Sequence, residues 1–152
     1  MSNKNQERNE LYTDPGYVIS HGFKGNDKRP LSKIIEEDKL VLSSHNLTCS
    51  DIASALKKLK DKGEKGIGNN VIIDNLFEVN VDVSRGFIAC PFDPSNQFRK
   101  TNISVRKLTT NNAIYFSDLS IHLIEKHCFF QGLGSTYRLE PEELAEFLEE
   151  LF

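Results

Sequence analysis

The chain has 152 residues, 38% of them apolar and 27% charged, and a net charge of −3, which suits one soluble globular domain around a single core. No apolar run approaches the roughly 18 residues of a membrane-crossing helix, and the opening MSNKNQERNELYTD lacks the apolar stretch of a secretory signal. Cys49, Cys90 and Cys128 form no CxxC pair and are odd in number, so the expectation is reduced thiols in a cytoplasmic protein.

Residues 1–14 are too polar to pack and are expected to form a disordered N-terminal arm, leaving 15–152 as a single domain. YVIS (17–20) reads as a short strand and HGFKGNDKRP (21–30) as a loop, from its Gly, Asn, Asp and Pro content. KLVLSSH (39–45) reads as a second short strand or an extended lead-in. Thr48 or Ser50 can cap a helix over 50–62, with Ile52, Leu56 and Leu59 on one apolar stripe, lysines late in the helix and Gly63 as a stop. Cys49, just ahead of it, is expected in the core.

In VIIDNLFEVNVDV (71–83), Phe77, Val79, Val81 and Val83 alternate with polar residues, and Asp74-Asn75 can split the run in two. Ser84-Arg85-Gly86 reads as a hairpin turn leading into the strand FIAC (87–90). FDPSNQFRKT (92–101) is expected as loop, NISVRKL (102–108) as strand, TTNN (109–112) as turn and AIYF (113–116) as a short strand. Ser117 caps a helix running to Lys126 or His127, a glycine-rich turn follows, and Pro141 opens a final helix whose Leu144, Phe147, Leu148 and Leu151 share a face. Hairpin-sized connections then predict an α+β fold: a mostly antiparallel sheet of about four to six strands with about three helices on one face.

The segment HLIEKHCFFQGLGSTYR (122–138) holds the densest chemistry. On an ideal helix His122 and His127 are about 140° apart, His127 in the apolar arc and His122 on the polar side. Metal ligands on one helix ordinarily sit at i, i+3 or i, i+4, so no metal site and no cofactor is expected. His127 is instead expected to serve the helix C-terminus, with Phe129 and Phe130 folded beneath it and Gly132 or Gly134 left-handed to reverse the chain. A pocket built from His122, Asp118, Arg138 and His21 is an alternative, with Asp118 orienting the imidazole. The glycines of GLGSTYR follow a helix and do not precede one, so a phosphate loop is not indicated.

Six of the chain's 22 acidic residues fall in 140–152, which holds no Lys or Arg. Glu142, Glu143, Glu146, Glu149 and Glu150 form an acidic surface on the last helix, and steering by opposite charge would bring a basic protein to it. The expected function is thus a non-catalytic protein-interaction domain, an immunity or antitoxin protein that blocks a toxin being a concrete instance. The lysines of 50–62 suggest a nucleic-acid adaptor as a further alternative. Negative net charge and the lack of stacking aromatics in a recognisable motif disfavour it.

Overall fold

The computed structural model describes residues 23–152. The N-terminal arm, the YVIS strand and His21 lie outside the described residues. Among the described residues, four α-helices and a four-stranded antiparallel sheet make an α+β fold, and no helix there is long and apolar enough to cross a membrane.

Helix α1 (Leu31–Ser44) buries Leu31, Ile34, Asp38 and Leu42. Those positions recur every three or four residues, the spacing of one helix face. KLVLSSH is therefore the end of this helix and not a strand: its Leu42 continues a buried period that starts at Leu31, upstream of the segment read in isolation.

Helix α2 (Cys49–Glu64) begins with a reciprocal cap. Thr48 Oγ1 accepts from the Asp51 amide at 3.1 Å, and Asp51 Oδ2 accepts from the Thr48 amide at 2.9 Å. Ile52, Leu56 and Leu59 are fully buried, as their stripe predicts. Gly63 does not stop the helix. It lies inside it, where a Cβ would sit 2.5 Å from Val79 Cγ1, so its lack of a side chain is what lets α2 lie close on the sheet.

The strands are β1 (Val71–Ile73), β2 (Phe77–Ala89), β3 (Gln97–Lys107) and β4 (Ala113–Phe116), hydrogen-bonded in that order. Asp74 and Asn75 both adopt positive φ, making the tight turn between β1 and β2. Val79 pairs with Val105 and Val81 with Ile103, and all four point into the core. Ser84-Arg85-Gly86 is not a hairpin turn. Val83 pairs with Thr101 and Phe87 with Arg99, so these three residues bulge against Lys100 alone, and Gly86 takes φ 95° to allow it. The bulge also leaves Val83 on the surface. The true hairpin loop is residues 90–96, and β3 starts at Gln97, inside the expected loop.

Ser117 and Ser120 cap each other at the start of helix α3 (Asp118–His127). Its C-cap is Cys128 at φ 52°, so the left-handed residue expected at Gly132 or Gly134 is a cysteine, while Gly134 turns the chain later. Cys128 is disulfide-bonded to Cys49, their Cα atoms 5.6 Å apart, which corrects the expectation of three reduced thiols; Cys90 alone is free. Helix α4 (Pro141–Phe147) starts on Pro141 and gives way to a 3₁₀ turn (Glu149–Leu151).

The main core lies between the sheet and the helices and includes Leu56, Phe77, Val79, Phe116, Phe130 and Phe147. A second cluster joins Leu31, Ile34, Cys90, Leu119, Leu123 and Phe129, with Phe92 and Phe98 half-buried beside it. It seats the 90–96 loop on α3.

Candidate metal centre

Cys90 follows the last residue of β2, and Pro91 and Pro94 shape the loop after it. The Asp93 amide donates to Cys90 O at 3.2 Å, the Asn96 amide to Asp93 O at 3.0 Å and the Cys90 amide to Asn96 O at 2.9 Å. Burial pushes the Cys90 thiol up and the Asp93 carboxylate adds to this, against the opposing effect of the Phe92 and Asp93 backbone amides.

The loop places Cys90 Sγ 3.7 Å from His127 Nε2. The rings of His122 and His127 meet edge to face, their centroids 5.4 Å apart. One ligand atom from each of Cys90, His122 and His127 lies within 4.8 Å of the other two. Phe92 stacks on His127 at 4.2 Å, and Phe98 lies against His122 at 4.5 Å, so aromatic walls fix both imidazole planes.

The sequence expectation that the two histidines diverge does not hold. A helical wheel fixes the direction of each Cα–Cβ bond; two further torsions then carry the ring around the helix. His127 is the last helical residue, so no following turn confines it, and the loop bearing Cys90 packs where the two rings meet.

Burial pushes both imidazoles below the ordinary histidine range. For His122 the Lys126 charge adds to this while Glu125 and Asp93 oppose it; for His127 the His122 charge adds and Asp93 opposes. Both rings are therefore neutral near pH 7, the form in which a ring nitrogen offers a lone pair to a metal. His122 Nε2 is buried with no hydrogen-bond partner, a cost that coordination would remove. One thiolate and two imidazoles suit a borderline-soft cation such as zinc. Zinc bonds of about 2.0–2.3 Å set tetrahedral donors about 3.5 Å apart. The Cys90–His127 pair already has that spacing, and the widest pair closes by about an ångström of side-chain rotation. A thiol–imidazole nucleophile fits less well, because Cys90 is 0% exposed and offers its sulfur to no substrate from solution.

The residues singled out in the sequence lie elsewhere or are otherwise engaged. Lys60 Nζ sits 2.8 Å from Asp118 Oδ1. Arg138, its side chain 8% exposed, donates to both oxygens of Asp38 at 3.0 Å, to both of Glu140 at 2.8 and 3.2 Å, and to Gln131 O at 2.6 Å. With His122 turned to Phe98 and His127, these three side chains face three different sets of neighbours. In the acidic C-terminal segment, Glu142 on α4 meets His45 Nε2 at 3.0 Å and Glu150 in the 3₁₀ turn meets Lys107 Nζ at 2.8 Å. Glu143 and Glu146 rim a cavity of about 460 Å³ closed by Lys107, Ile114 and Phe147, and Glu149 is exposed.

Cys90 is the residue that sequence reasoning missed. Its signal was the run Cys-Pro-Phe-Asp, a cysteine at a strand end followed by a proline-shaped turn whose amides can fold back to the sulfur. No protein-family model matches the chain, and comparison with curated proteins and with solved structures finds no match.

Proposed function

We propose that this protein is a metal-ion-binding α+β domain, with Cys90, His122 and His127 as ligands of one zinc-class cation. The observation that carries this reading is the convergence of three soft or borderline donors from two separate segments.

Titrating metal-stripped protein with Co²⁺ tests it. One equivalent should produce a thiolate-to-cobalt charge-transfer band, lost in Cys90→Ser and weakened strongly in His122→Ala and His127→Ala. A wild-type protein that takes up no cobalt, or whose spectrum is unchanged by Cys90→Ser, refutes it.

A second reading, an acidic docking surface for a basic protein, rests on the concave surface rimmed by Glu143 and Glu146. Glu142 and Glu150 support it less, being already paired within the chain. A Glu143→Gln/Glu146→Gln variant that captures a basic partner as well as wild type does would end that reading.

A further inference from the structure

We infer that an ion held by Cys90, His122 and His127 keeps one coordination position open to a small lone-pair donor from solution; this rests on the metal-binding reading above. The ion would then be one that exchanges a ligand, beyond locking the 90–96 loop to α3.

A zinc ion that only stabilises a fold ordinarily takes four protein donors, whereas an ion that binds water or substrate keeps three. Among the described residues the cluster supplies three. Asp93 and Glu125, whose charges act on His122, are exposed and lie outside the cluster; Asp93 Oδ1 accepts from the Ser95 hydroxyl at 2.7 Å, and Glu125 Oε1 lies 3.5 Å from Lys126 Nζ.

The direction of the free position follows from burial. Cys90 is wholly buried, and on its side the ion would meet Leu119, Leu123 and Phe129. His122 and His127 are only partly covered, though the His122 Nε2 atom itself is buried, so the opening to the ion lies at the imidazole edges, on the side away from the sulfur. Phe92 and Phe98 flank that opening on the two imidazoles. They bring no polar atom to fill the fourth position, and their rings narrow the approach to a small monodentate ligand. Water would occupy it at rest, acidified by the ion as in three-ligand zinc sites.

The test uses the full chain loaded with Co²⁺, with azide as the probe ligand. Azide should shift the visible d–d bands saturably while the Cys90-to-cobalt charge-transfer band persists. An unchanged spectrum at saturating azide overturns the open position but leaves metal binding intact. Bleaching of the charge-transfer band, meaning that azide extracts the ion, overturns it too. So does a His21→Ala or Asp93→Asn variant whose azide-free d–d spectrum differs from wild type, since the chain would then supply the fourth donor. If no charge-transfer band forms at all, the metal-binding reading itself fails.

Discussion

Replacing Arg138 with methionine separates a structural role for this residue from the ligand-binding one its sequence suggests. In the folded chain its guanidinium is forked onto Asp38, whose side chain is 6% exposed, and also holds Glu140 and Gln131 O. Methionine fills similar volume but leaves the Asp38 carboxylate buried without its partner. Breaking a buried pair from one side costs about 3–5 kcal/mol. For a chain of this length each kcal/mol moves Tm by roughly 2–4 °C, so Arg138→Met should melt on the order of 10 °C below wild type in a calorimetric scan. Adding Asp38→Leu removes the stranded charge and should recover most of the loss, because a buried ion pair is often replaceable by apolar residues at little cost. Cobalt uptake by Arg138→Met in the folded state should equal that of wild type. A single variant within about 1 kcal/mol of wild type, or a double variant no better than the single, would refute this account of how α1 is pinned to the 131–140 segment.

Gly63→Ala sets two effects of opposite sign against each other. Helix propensity favours alanine by about 1 kcal/mol, but its Cβ would lie 2.5 Å from Val79 Cγ1, and overpacking costs about 1–3 kcal/mol. The urea midpoint should therefore fall; a rise would show that α2 and β2 are not in close contact there. Breaking the Cys49–Cys128 link, which spans 79 residues, should lower stability by roughly 2–4 kcal/mol in urea unfolding with and without reductant. In a Cys49→Ala background, Cys128→Gly should be about 1 kcal/mol more stable than Cys128→Ala, because the C-cap is left-handed; equal stability would contradict that conformation. Asp27 is held well below the ordinary carboxylate range, chiefly by its hydrogen bond to Arg29, with the Leu133 and Arg29 amides assisting against burial. Its depressed value means that the unfolded chain binds the proton first. The contribution is complete above the ordinary value of 3.8 and fades as pH falls below it. The stability gap between wild type and Asp27→Asn should accordingly shrink on acidification below that value, and a gap independent of pH would remove Asp27 from the account of acid unfolding.

What the sequence made legible, and what it hid, divides by the range of the interaction. Thr48 and Ser117 announce their helices because a cap is settled within four residues, and Phe77, Val79 and Val81 announce β2 because alternation is a property of one strand. KLVLSSH misleads because its three apolar and four polar positions fit either period until Leu31 and Ile34 are included. Ser84-Arg85-Gly86 misleads because a bulge and a hairpin use the same residues, and only the partner strand, pairing Phe87 with Arg99, decides between them. The candidate site belongs to this second kind. His122 and His127 were visible as a pair, but the spacing rule that set them apart assumes that the helix alone determines where the rings go. Cys90, 37 residues before His127, lies on the 90–96 loop that packs against α3, and Phe92 and Phe98 from the same hairpin hold the imidazole planes. The convergence of the three donors is thus a property of loop docking, which in turn depends on Leu119, Leu123 and Phe129 forming an apolar seat for it. A conservative change in that seat, remote from every donor atom, should weaken metal affinity, whereas the same change in the main core should lower stability and leave the donors in place.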